Sequence, residues 1–444
     1  MQTYDFDYVS AVLITTVNRA LTANLSGVDI TVNYTTVDAD SGSTITLSAK
    51  LDPWQIVAGG ENRLINVSIP FDQGYLTLEG GALTGSYDLS GVTVIVQISM
   101  GWMGAGDEQQ AQGSGDKTHL TFNPTDTSDK DNPGYVAPIN VLDPDKQLDT
   151  IATGLLRQYI PAALVSNKDK LKYIFANVNP KPANLGSWLQ PVKWQYYYSH
   201  AGSVDALCFL SMMSNAPFPQ SAFDSTMLSA SSECVLLVSQ PQFFANVVLP
   251  GVRAAYPGGN FSVSSTNSIS KITNNGDFSV GSVSASSLTV TTSDQGNGLK
   301  TVASGGGPLK FLFGLANLPG ASYSWGITST NPLQFASSQI SFKQDPNPSI
   351  TQDHTIHWYD WALLVVLGIT DVAGLVSAIY DAVKGFHNKV DEVGVATINQ
   401  NVQASTGNTV VNLKSVVDWT LAQQQLGATG AGLAGPLYVR GNFT

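Results

Sequence analysis

The sequence predicts an α+β protein that combines helices with antiparallel β-sheets, and three observations lead to that class. Apolar residues recur with period two through residues 28–120 and again through 261–301, the spacing of strands that bury one face. Helical spacing of apolar residues appears at the amino end and again over about 145–177. Residues 51–70, LDPWQIVAGGENRLINVSIP, couple an aromatic strand to a tight turn and a second apolar strand.

The first element is a helix. At about 100° per residue, Val9, Val12, Leu13, Ile14, Val17, Ala20 and Leu21 form a wide apolar face, with Thr15, Asn18, Arg19 and Thr22 opposite. Asp5 or Asp7 suits its amino-terminal cap and dipole. A face this wide fits a helix gripped by a curved sheet or one packed on two neighbours. A meander follows, read from VDITVNYTTV, TITLSAKL, LINVSIP, YLTLEGG, YDLSG and VTVIVQISM. Within it Trp54, Ile56 and Ala58 share one side of a strand, Gly59-Gly60 permits positive backbone angles, and Pro70 ends the returning strand.

Pro124, Pro133, Pro138 and the acidic run 126–131 interrupt the strand pattern and predict a loop. The glycine and distal glutamate of a calcium loop are missing there at the required offsets. This sets the division expected here: 1–123 as helix plus sheet, 124–144 as linker, and 145–444 as a second helix-plus-sheet half, the two halves able to form one continuous module. In the second helical stretch Leu148, Ile151, Leu155, Leu156 and Tyr159 precede Pro161, which is expected to kink or end it. Strands resume near Trp188, and a further helical segment is expected near 358–390. Within it, residues 360–384 are the most membrane-like stretch. About ten Leu, Ile and Val residues favour insertion by roughly 3–6 kcal/mol, Asp371 opposes it by about 2.5–3.5 kcal/mol, and a buried helix or helical hairpin is the better reading.

Several of these motifs also resemble a known family. WQIVAGG with its following IP-terminated strand, the amino-terminal TYDFDYVSAVLITTVNRAL, WLQPVKWQYYY at 188–198, CVLLVSQPQFFANVVLPGV at 234–252 and GPLYVRGNF at the carboxyl end stand in an order and spacing similar to the forty-seven-kilodalton accessory proteins of OrfX-type botulinum neurotoxin gene clusters. The resemblance spans nearly the whole chain. It implies an elongated tubular lipid-binding (TULIP) fold, with long helices wrapped by strongly curved antiparallel β-sheets, a lipid or other amphiphile as ligand, and a role beside a toxin, its delivery, its stability or insect toxicity.

Composition narrows the classes further. Over 444 residues the formal net charge is −12 and only 12% of residues are charged, so the basic footprint needed to neutralise nucleic-acid phosphates is missing. Lys168, Lys170 and Lys172 are a local exception and the candidate headgroup contacts; the bland reading is a solvated, mixed-charge face. No basic-apolar-small leader opens the chain, so cytoplasmic synthesis is expected, with any release by a non-classical route. Cys208 and Cys234 lie in apolar strand-like segments without metal-ligand spacing and read as buried thiols.

Catalytic patterns are thin. Of five histidines (119, 200, 354, 357 and 387), only His354 and His357 are close, with Asp353 or Asp360 as a third ligand, and Thr355 and Ile356 alternate between them like a strand. Gly430, Gly432 and Gly435 match G-x-G-x-x-G, but Pro436 and LYV follow instead of a helix, which predicts a loop; SGGGP at 304–308 lacks the Lys-Ser/Thr of a phosphate loop and reads as a turn. Trp194 with Tyr196, Tyr197 and Tyr198 fits either a core and rim or a stacking platform. The expectation is a non-enzymatic protein without metal or cofactor. Its candidate lipid seam is Val9, Leu13, Val17 and Ala20 facing Trp54 and Ile56. The alternative is an interaction subunit that binds a sister protein of a toxin complex and fills its groove with its own side chains.

Overall fold

A computed structural model describes residues 3–443 except 105, 107, 182–186, 220–227, 229–230, 268, 281–282, 312–315, 338, 356–383, 385–394, 398, 401–412, 414 and 421–425. The membrane-like stretch 360–384, save Lys384, and His357, Asp360 and His387 therefore lie outside the described residues.

The first element corrects the sequence reading. Tyr8–Leu13 is a strand, β1, and the helix, α1, begins only at Ile14 and ends at Leu25. An unbroken apolar run fits a fully buried strand as well as a helix, and pairing decides it: β1 lies between strands Val204–Met212 and Cys234–Val238, antiparallel to both. Alternation sends Tyr8 and Val12 into the main core and Val9 and Ala11 to a second cluster on the opposite face, against which Leu13 packs. Asp7 does not cap α1; its carboxylate accepts from the Met213 N–H and the Gln242 amide.

Among the described residues the strands form four sheets. The first has seven strands in the order Leu426–Leu433, Leu437–Phe443, Cys234–Val238, β1, Val204–Met212, Lys193–Ala201 and Gly113–Ser114, so the chain's two ends meet in one sheet. The predicted meander builds another, with β2 (Ile30–Val37), β3 (Thr44–Leu51), β4 (Gln55–Glu61), β5 (Leu64–Glu79), Gly85–Asp88, Thr93–Ser99 and Val136–Leu142. A four-stranded sheet joins Val417–Trp419, Tyr173–Val178, His119–Phe122 and Gly101–Met103, and an eight-stranded sheet carries the segment from Phe261 to Thr355.

Pro70 does not end its strand, because β5 runs for 16 residues through it. Proline is tolerated there because β5 changes partners at that point: residues up to Pro70 pair with β4 and Thr93–Ser99, and residues after it with β3 and Gly85–Asp88. The β4–β5 turn is made by Asn62 at φ 58°. Gly59, at φ 97°, lies instead in a bulge of β4. Gly60 has no positive φ; a Cβ there would lie 2.7 Å from the Leu64 carbonyl oxygen.

The helices are short. α1 has 12 residues and α2 (Thr150–Ser166) has 17, which corrects the expectation of long helices wrapped by strongly curved sheets. Asp149 caps α2 by accepting the Ala152 N–H at 2.7 Å. α2 continues through Pro161, whose lost hydrogen bond is offset by burial of Leu156, Ile160, Ala163 and Leu164. A single turn, α3 (Lys168–Leu171), then leads into strand Tyr173–Val178. The two glycine-rich "turns" are also strand: SGGGP lies inside Gly298–Phe311, and Gly430 and Gly432 inside Leu426–Leu433. A Cβ on Gly432 would lie 2.4 Å from the Tyr438 hydroxyl and 2.5 Å from its ring, so any larger residue there must displace that side chain.

Candidate functional site

α1 is held on β4 by a side chain that imitates a strand. The Asn18 amide donates to the Ile56 carbonyl and accepts the Ile56 N–H, both at 2.8 Å. Asn18 is therefore part of the scaffold rather than the solvent face assigned by helical spacing. At the other side of α1, Arg19 makes a two-pronged ion pair with Glu233, at 2.8 and 3.1 Å. The Arg19 guanidinium, followed by the Phe443 N–H, holds the Glu233 carboxyl below its ordinary range.

This clamp brings four of the six seam candidates into one core. Val17, Ala20, Trp54 and Ile56 are 3, 2, 3 and 2% exposed, and all belong to the main cluster. Val9 and Leu13, on β1, pack with the second cluster and are not part of that wall. Trp54 sits in an aromatic nest, its ring centroid 4.9 Å from Phe122 and 6.0 and 6.3 Å from Tyr173 and Phe175. Its indole N–H is buried without a hydrogen-bond partner among the described residues. Sequence reasoning missed Phe122, Tyr173 and Phe175, which arrive from the four-stranded sheet.

The lysines stand beside this nest. Lys168 and Lys170 lie on α3, and Lys172 immediately precedes Tyr173, whose hydroxyl accepts a hydrogen bond from Asn24 of α1 at 2.9 Å. Lys170 donates to the Thr31 carbonyl at 2.8 Å, while Asn167 exchanges two hydrogen bonds with the Asn33 backbone, so this short helix covers the open edge of β2.

Other candidates separate clearly. Trp194, Tyr196 and Tyr198 are buried in the main core, and Tyr197 packs on the opposite face with the second cluster. Cys208 and Cys234 are buried and free. They pair with Ala11 and Val12 on opposite flanks of β1, about 9–10 Å apart by strand spacing and out of disulfide reach. Burial pushes the Cys234 thiol up to about 12 and raises Cys208 as well. His354 is on the exposed strand Ser349–Thr355, and no cluster of three metal-ligating side chains occurs among the described residues. Among those residues no helix is long and apolar enough to cross a membrane.

A short helix clamped against an antiparallel β scaffold, with an aromatic nest behind it, defines a β-rich class of protein. The chain belongs to the OrfX-like family described as Protein OrfX2/OrfX3/P47, which matches residues 3–293. Its fold is that of P47 from Clostridium botulinum A2, with TM-score 0.74 at 20% identity over 100% of this chain and 98% of that one. P47 of Clostridium botulinum E1 is also similar, with TM-score 0.65 and 17% identity over 99% of both chains. No match is found among curated proteins.

Proposed function

We propose that this chain is a non-enzymatic lipid-binding protein of the tubular lipid-binding type and an accessory component of a bacterial toxin or insecticidal system. The observation that supports it best is the juxtaposition of α3 with the aromatic nest: Lys172 is followed by Tyr173, whose ring lies 6.0 Å from Trp54. Three lysines within five residues offer charge to an anionic headgroup, while Trp54, Phe122 and Phe175, buried behind them with one unpaired indole donor, form the apolar nest that would part to admit the body of an amphiphile. On this reading residues 1–123 and 145–444 act as one module across the 124–144 connection.

The test is sedimentation with vesicles of phosphatidylserine in phosphatidylcholine. Binding should weaken with salt, because charges are screened over about 8 Å at physiological ionic strength. It should fall at least tenfold when Lys168, Lys170 and Lys172 are all changed to Ala. Unchanged binding by a triple variant with wild-type Tm would remove the headgroup assignment.

A second reading, an interaction subunit that binds a sister protein, is favoured by the burial of Val17, Ala20, Trp54 and Ile56 within a core made of the protein's own side chains. It expects no amphiphile to accompany the purified protein.

A further inference from the structure

We infer that the outer face of the eight-stranded sheet carries a carbohydrate-binding cleft, floored by Gly326 and rimmed by Ser304, Ser324, Thr351 and Asp353. The cleft, of about 340 Å³, opens where strands Gly298–Phe311, Ala316–Ala336 and Ser349–Thr355 lie side by side. Register places Ser304, Gly326 and Thr351 in one cross-strand row and Gly306, Ser324 and Asp353 in the next on the same face. The intervening row, Gly305, Trp325 and Gln352, faces the other side, where Trp325 enters the core.

Glycines weaken the interior of a strand, so each one here needs a reason. Packing supplies it for two of them. A Cβ on Gly305 would lie 2.0 Å from the Ser284 carbonyl oxygen and 2.8 Å from the Trp325 ring, and one on Gly306 would lie 2.4 Å from the Tyr323 carbonyl oxygen. Gly326 is different. Its φ is not positive, and a Cβ there would meet only the Thr351 hydroxyl, at 2.8 Å, a group that can rotate away. What glycine uniquely provides at 326 is the open floor.

The rim selects the ligand class. Three hydroxyls and one carboxylate surround the floor, with no basic group among them to hold a phosphate; the apolar part of the lining is the buried Trp325, which leaves no exposed apolar side chain to hold an acyl chain. Asp353 is oriented by the His354 N–H, which donates to its Oδ1 at 2.8 Å. A fixed carboxylate accepts hydrogen bonds from adjacent hydroxyls, serines and threonine both donate and accept, and bare backbone accommodates the C–H face of a pyranose ring. A saccharide matches each of these features. The proposal goes beyond the amphiphile reading and stands on a different sheet.

Glucose, galactose, mannose and N-acetylglucosamine, titrated singly and followed by saturation-transfer NMR, test it on the full chain. At least one should give a saturable signal that weakens tenfold or more in Gly326→Val and in Asp353→Asn. Valine suits a strand, and Asp353 is exposed, so both variants should keep the wild-type Tm. The proposal is overturned if none of the four sugars gives a saturable signal. It is equally overturned if the signal survives in the folded Asp353→Asn variant, whatever the fate of Gly326→Val.

Discussion

Replacing Asn18 by Ala isolates the contact that holds α1 on the β4 edge. Two hydrogen bonds of 2.8 Å disappear, and the Ile56 N–H and carbonyl are left without their partner in a partly buried position. A net hydrogen bond contributes about 0.5–1.5 kcal/mol, and an orphaned buried group costs about 1–3 kcal/mol. Because the site is partly buried, water can recover some of this, and the expected loss is about 2–4 kcal/mol. Asn18→Asp keeps the acceptor and loses the donor, so it should fall between wild type and Asn18→Ala at pH 7. Urea denaturation with a common m-value reads both. A loss below about 0.5 kcal/mol for Asn18→Ala would show that α1 is held by its apolar face alone and that the amide clamp is incidental.

Trp54→Ala removes the centre of the aromatic nest and should destabilise by about 3–5 kcal/mol in the same assay; a loss under about 1 kcal/mol would contradict its core placement. Glu233 and Asp126 have lowered folded-state pKa values, the first through Arg19 and the second, at about 2, through Asn132 and Ser128. Their contribution is present above the ordinary carboxylate range and is lost as pH falls through the folded values. Tm should therefore drop below about pH 4, and Asp126→Asn should flatten the part of that drop approaching pH 2. Both thiols should resist a disulfide reagent at pH 8 in the native protein and react in 6 M guanidinium, since burial disfavours their thiolates; rapid native labelling would refute their burial.

The meander and the alternating strands of 261–301 were legible because one buried face imposes period two, although turns at Asn267 and Gly276 divide the latter into shorter pieces than the pattern suggests. The helix boundary was not. YVSAVL is apolar on both faces of its sheet, and a doubly buried strand carries no period. Pro70 and SGGGP mislead for a related reason: what makes proline or glycine acceptable within a strand is a neighbour far away in sequence, a change of partners at Pro70 and the Ser284 carbonyl at Gly305. The same holds at the site. Val17, Ala20, Trp54 and Ile56 could be picked as apolar positions, but the Asn18–Ile56 clamp and the arrival of Phe122, Tyr173 and Phe175 around Trp54 depend on tertiary pairing that no local spacing encodes.

Mass spectrometry of an organic extract from the purified protein tests the lipid reading most directly. The account predicts one acyl-chain amphiphile per chain, displaced in Ala20→Phe, a substitution that adds a ring to the core cluster to which Val17, Trp54 and Ile56 also belong. Extracts of folded wild-type protein that contain no amphiphile above background would contradict it and leave the self-filled interaction subunit as the function.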